Sequence, residues 1–137
     1  MHSILTPTLA LVVLSLLVWV WMYATRIPAM RRADLQPQDV KFPADLQRLP
    51  DGARQVADNY NHLMEQPTIF YALVFYIFLA GHTDQLHIYL AWTYVVLRAA
   101  HTLIQCTTNI VRLRFSVFAL STVVLMAMAA REVAILL

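Results

Sequence analysis

The sequence predicts an all-α membrane protein, a bundle of four transmembrane helices forming one domain over residues 1–137. Three observations carry that expectation. Hydrophobic residues make up 60% of the chain and charged residues 13%, against about 45–50% and about 25% in an ordinary soluble domain. The apolar residues gather in runs suited to a hydrocarbon core of about 30 Å. Lysine and arginine sit at the ends of those runs. This composition disfavours a soluble globule, a disordered tail and a nucleic-acid binder, and a net charge of +2 is too small to attract a polyanion. A lone cysteine, Cys106, excludes an internal disulfide. A metal site would rest on histidines and carboxylates; none is expected, because no His-x-x-x-His pair occurs.

The helices are expected at about residues 4–25, 52–80, 85–109 and 114–135. No charged residue occurs before Arg26, and Leu9 to Tyr23 is almost wholly aliphatic or aromatic. A cleavable signal peptide is the competing reading. It needs a basic leader and small residues at the cleavage site, whereas the charges here follow the apolar run and Trp19, Trp21, Met22 and Tyr23 are bulky. The helix is expected to stop near Arg26-Ile27-Pro28, because proline disfavours helix at the residue before it. A covering loop with four prolines and mixed charge follows, to about residue 50.

Helix two starts in the polar-periodic segment at Pro50-Asp51, enters lipid near Glu65 and ends at Gly81, a glycine suited to a helix C-terminus. Helix three begins after Thr83-Asp84, and helix four ends in Arg131-Glu132 and an apolar tail. Short connections favour antiparallel neighbours. Eight basic residues (Arg26, Arg31, Arg32, Lys41, Arg48, Arg54, Arg112 and Arg114) flank the first and third connections, against Arg131 alone on the other side. The positive-inside rule places those two connections in the cytoplasm and both termini outside.

Polar residues inside the apolar runs point to function. Arg98 lies midway along helix three, where an arginine costs at least about 2.5–3.5 kcal/mol on insertion scales. Tyr94, Arg98, His101, Gln105, Asn109 and Arg112 recur at helical spacing and form one expected stripe. Arg54, Asp58, His62 and Glu65 form a second on helix two, with Glu65 the anionic counterpart for Arg98 or for a ligand's ammonium group. These residues act either as hydrogen-bonding glue between helices or as the lining of a hydrated site open to the cytoplasmic connections. Cys106 faces away from the stripe as a packing residue, and Met126 and Met128 read as helix packing.

The ordered series Asn59-Tyr60-Asn61-His62-Leu63-Met64-Glu65-Gln66-Pro67, Leu97-Arg98-Ala99-Ala100-His101-Thr102 and Arg112-Leu113-Arg114-Phe115 resembles the MAPEG superfamily, membrane proteins of eicosanoid and glutathione metabolism. The likeness covers nearly the whole chain and is closest to short bacterial members. It implies a homotrimer in a bacterial inner membrane, with glutathione as co-substrate between subunits and a hydrophobic small molecule arriving from the bilayer. Glu65 corresponds to the acid of the helix-two motif, which contacts glutathione's charged ends. His62 stands where that motif usually has asparagine, and Asp58 where eicosanoid enzymes place a glutathione-binding arginine. Arg98 and His101 match the helix-three Arg-x-x-His, and Gln105 replaces a tyrosine. By the same resemblance Arg114 is the catalytic residue that stabilises the thiolate, and Arg26 reaches a neighbour's site. Arg112 completes the basic inventory that two carboxylates require.

Three functions are compatible with these residues. The first is a glutathione or thiol transferase or peroxidase acting on hydrophobic electrophiles. The second is an inactive lipid- or small-molecule-binding relative. The third is a small proton-coupled transporter, which a buried Arg98 beside the acid fits poorly because it would repel a cationic substrate.

Overall fold

The computed structural model describes residues 3–137, all helices and connections among those residues. Helix α1 spans Leu5–Arg32, α2 Asp51–Met64, α3 Gln66–Leu79, α4 Gln85–Cys106 and α5 Val111–Leu136. Short 3-10 turns at Pro37–Asp39 and Pro43–Arg48 punctuate the connection after α1.

One face of α1 is buried through Ile4, Leu11, Ser15, Val18, Met22 and Ala29, a seven- and four-residue rhythm. Leu9, Val12, Val13, Leu16, Leu17 and Val20 remain exposed on the other. So continuous an apolar exterior is unusual in water and is what a lipid-facing surface requires. The buried set meets Val56 and Leu63 of α2, Phe70, Val74 and Ile77 of α3, Ile88, Ala91, Tyr94 and Val95 of α4, and Val124, Leu125 and Met128 of α5. Three helical segments are long and apolar enough to cross a membrane: Leu5–Arg32, α2 with α3 as Asp51–Leu79, and Val111–Leu136. Helix α4, at 22 residues, is comparably long but falls outside that set. His87, Arg98, His101 and Gln105 dilute its hydropathy and are all buried against the bundle.

Three helix ends differ from the sequence expectation. Helix α1 does not stop near Arg26 but passes through Pro28 to Arg32. Its last turns bury Ala29 against Leu49 and Ala53, with Met30, Leu35 and Leu46 alongside. Tertiary packing of this kind stabilises a turn that proline weakens. The end is a Schellman motif, with Asp34 left-handed at φ 53° and the Leu35 amide on the Met30 carbonyl at 3.0 Å. Helix two is not continuous but breaks at Glu65, which has φ −91° and ψ −97°. Pro67, two residues on, cannot donate to the Leu63 carbonyl and its ring crowds that group, while it suits the first turn of α3. Helix α4 ends at Cys106 rather than Asn109, which adopts a left-handed φ of 50° and donates its amide to Ile104. Gly81 does end α3 as expected, at φ 74°.

Candidate functional site

The break at Glu65 exposes backbone polarity inside the bundle. In a continuous helix the His62 carbonyl would accept the amide of Gln66. Here it accepts the Glu65 amide at 3.3 Å and Nη2 of Arg98, also at 3.3 Å. The Arg98 side chain is fully buried, with its guanidinium carbon 5.5 Å from the centroid of Phe118 on α5. Its Nε and Nη1 have no hydrogen-bond partner. Such a group is costly unless a partner completes it.

A recess of about 230 Å³ opens next to this arginine, lined by His62, His101, Val111, Arg114, Phe115 and Phe118. The rings of His62 and His101 meet edge to face at 5.9 Å, and His101 lies 6.1 Å from Phe118. Nδ1 of His101 and Oε1 of Gln105 are buried without partners. Arg114 is steadied from behind by a 2.6 Å bond from Nη1 to Oδ1 of Asn109. The left-handed turn at Asn109 thus puts that amide within reach of the first turn of α5. Glu65 stands at the helix break, largely exposed, 3.5 Å from Nδ1 of His62.

The expected residues therefore separate into groups. His62, Arg98, His101 and Arg114 converge. Glu65 reaches this group through His62 but forms no ion pair with Arg98, correcting the expected pairing; the arginine takes a backbone carbonyl instead. The six-residue stripe is cut to Tyr94, Arg98, His101 and Gln105, because the helix ends before Asn109, and Arg112 is exposed on α5 outside the recess. The helix-two stripe also divides. Arg54, Asp58 and Asn61 line a different recess of about 120 Å³ that includes Arg26 from α1. Within one chain Arg26 is thus on a separate face of α2 from His62. Cys106 is buried in the main core, as a packing residue would be.

Sequence reasoning missed the residues that hold the site together. Gln66 accepts from the Tyr94 hydroxyl at 3.3 Å and donates to Thr122 at 2.8 Å, joining α3, α4 and α5. Asn59 donates to Thr102 at 3.2 Å between α2 and α4, and Gln55 donates to the carbonyls of Cys106 and Thr107. Phe118 looked like any lipid-facing aromatic on an apolar helix. The signal for Gln66 was its position beside Pro67, where a polar side chain enters the apolar run.

A model of the MAPEG family matches residues 4–134. No curated protein and no solved structure matches the chain. With essentially its whole length covered and its helices faced for lipid, this integral membrane protein belongs to the MAPEG family.

Proposed function

We propose that this protein is a membrane-bound thiol transferase that uses glutathione against hydrophobic electrophiles. The observation carrying this reading is Arg98, buried with two unpartnered nitrogens behind a recess that also holds Arg114 and two histidines. Glutathione brings two carboxylates, one ammonium and a thiol. Arg98 supplies a guanidinium fork for a carboxylate, Arg114 faces the thiol, and exposed Glu65 offers a carboxylate for the ammonium. A free thiol of pKa about 8.5 is a few per cent thiolate at neutral pH, and a neighbouring guanidinium raises that fraction. Arg114 is assigned this role because it reaches the recess wall while Arg98 stays behind it. The thiol proton passes to water. The thiolate sulfur then forms a bond to the electrophilic carbon, and the displaced group leaves with its electron pair. With a hydroperoxide, sulfur attacks oxygen and expels an alkoxide that takes up a proton. A second thiol then converts the sulfenic acid to a disulfide and water.

The reading includes α4 as a fourth span, since its polar face is buried by α1, α2 and α5. It also includes a homotrimer, in which Arg26 and Arg112, outside their own chain's recess, serve a neighbour's site. The first and third connections face the cytoplasm. A second reading, an inactive member that binds lipid or another small molecule, is favoured by Asp58, whose carboxylate shares a recess with Arg26 and Arg54. Calorimetric titration of the detergent-purified protein with glutathione separates them, alongside ultraviolet detection of the thiolate on mixing. Saturable binding is expected, with Arg114→Ala keeping most of the affinity while losing the thiolate signal and about 100-fold or more in conjugation rate. Absence of glutathione binding by well-folded protein would move the assignment to the second reading.

A further inference from the structure

The basic end of α1 carries a recess that the proposed reaction does not use. It has a volume of about 550 Å³ and is lined by Ile27, Met30, Arg31, Asp34, Leu35 and Gln36. Space of that order suits a small-molecule group. Local structure fixes its shape. The Schellman turn at Asp34 folds Leu35 back onto Met30, and both side chains pack against the small core of Ala29, Leu49 and Ala53. The recess is therefore moulded by packing and is not a slack connection between helices.

Its polar groups favour one kind of charge pattern. Arg31 and Asp34 are both exposed. Opposite charges three residues apart can neutralise each other, yet among the described residues neither forms an ion pair. The neighbouring cation, Arg32, lines a different recess with Pro28 and Gly52. One arginine, one carboxylate and the Gln36 amide thus face this space, with no net charge. The end of α1 is also a helix C-terminus, where the last carbonyls favour a cation and disfavour an anion. A purely anionic ligand meets the Asp34 carboxylate and the negative helix end with a single arginine to hold it. A zwitterion sets its anion on the Arg31 fork and its cation beside Asp34 and those carbonyls.

An apolar stripe leads away from the recess. Leu16, Val20, Tyr23 and Ile27 are exposed at four- and three-residue steps that continue to Arg31, so all five share one face of α1. Trp19 joins them, its ring 4.9 Å from that of Tyr23 and edge to face. The opposite face holds the buried Leu11, Ser15, Val18 and Met22. From Leu16 to Ile27 the helix rises about 16 Å, close to the hydrocarbon depth of one leaflet, about half of 30 Å. Tryptophan and tyrosine gather at the membrane interface, which sets the recess at headgroup level. A free headgroup would leave this stripe unused, whereas a lipid uses both parts.

The geometry points to a binding site for a phospholipid whose headgroup joins a phosphate to a primary ammonium, with the phosphate on Arg31, the ammonium at Asp34 and an acyl chain along Ile27, Tyr23 and Leu16. A primary ammonium donates hydrogen bonds to a carboxylate, as a lysine does. A quaternary ammonium has no N–H to give, and a glycerol headgroup has no positive charge. None of these residues lines the recess at His62 and Arg114. The site is therefore separate both from the glutathione reading and from a small molecule bound in that recess in its place.

Native mass spectrometry of the full-length protein in detergent tests the site, with phosphatidylethanolamine, phosphatidylcholine and phosphatidylglycerol of identical acyl chains added in turn. Phosphatidylethanolamine is expected to bind about threefold or more tightly than either of the others, the scale of one exposed ion pair. Asp34→Asn is expected to erase its lead over phosphatidylcholine. Arg31→Gln is expected to lower its affinity by about threefold or more, while Arg32→Gln leaves it unchanged. All three side chains are exposed, so the variants are expected to fold, which unchanged melting points check. Equal retention of the three lipids by the wild type, a lead for phosphatidylglycerol, or retention of no lipid would overturn the proposal. So would a preference for phosphatidylethanolamine that survives both Asp34→Asn and Arg31→Gln, or one lost equally in Arg32→Gln.

Discussion

Replacing Arg98 by methionine separates what the guanidinium does for the fold from what it does for a ligand. The side chain is fully buried, donates once to the His62 carbonyl at 3.3 Å and lies 5.5 Å from Phe118. Losing a hydrogen bond from a charged donor costs about 1.5–3 kcal/mol, and losing the cation–π contact about 0.5–2 kcal/mol. The His62 carbonyl is not orphaned, because the Glu65 amide still reaches it at 3.3 Å. On the other side, removing a charge from the middle of a membrane helix recovers about 2.5–3.5 kcal/mol. Methionine fills the vacated space with an unbranched, adaptable chain. The terms largely offset one another, so stability is expected to fall by no more than about 2.5 kcal/mol, under about 10 °C in melting point. Ligand binding has no such compensation. Loss of a charge-assisted contact to a glutathione carboxylate, at about 1.5–3 kcal/mol, weakens binding roughly 10- to 150-fold. Thermal unfolding and calorimetric titration of the same detergent preparation measure both. A melting point lowered by more than about 10 °C with glutathione affinity unchanged would make Arg98 a structural strut and refute the reasoning.

Gln66→Leu removes the bonds to Tyr94 and Thr122 and leaves a buried phenol unpartnered, so a loss of about 1–3 kcal/mol is expected in thermal unfolding. Phe70, fully buried and stacked on Tyr94 at 4.5 Å, is expected to cost about 3–5 kcal/mol when cut to alanine, seen as a lowered melting point. The His87 amide, with the charges of His87 and Arg131 beside it, holds the Asp84 carboxyl below the usual carboxylate range. A depressed acid contributes stability that is present above its unfolded value of about 3.9 and lost as pH falls through the folded value. Acid titration of the melting point should show this decline in the wild type and lose it in Asp84→Asn, which keeps a capping side chain.

The apolar runs were legible because a lipid-facing helix must be hydrophobic around most of its circumference, whatever its partners. Arg98 and His101 could be picked out for the same reason: a polar group in such a run carries a cost that something must offset. What offset it was not legible. The sequence offers Glu65 as the nearest formal counter-charge, and charge alone favours that pairing. The acceptor is instead the His62 carbonyl, a backbone group every residue possesses and no sequence pattern marks. The division of Arg54 and Asp58 from His62 has a similar origin. Spacing places them along one side of a helix, but whether neighbours α1 or α5 cover each position is decided by packing over long sequence separations. The end of α1 failed for a local reason, since Pro28 is tolerated once Ala29 finds a surface to bury against.

The helix break links these observations into one requirement. Without Pro67 the amide of Gln66 would satisfy the His62 carbonyl, and Arg98 would face a helix with no free acceptor. The break also turns Glu65 outward beside His62 and sends the Gln66 side chain inward to Tyr94 and Thr122. One imino acid therefore provides an acceptor for the buried cation, an exposed carboxylate at the site's edge, and a polar brace across three helices. The guanidinium is left with two unused nitrogens. A group retained only for interhelical glue would have those satisfied by the bundle itself, because an unmet donor in the interior is more costly than an apolar substitute. Their being left over is the physical reason for placing a polar ligand at this end of the bundle.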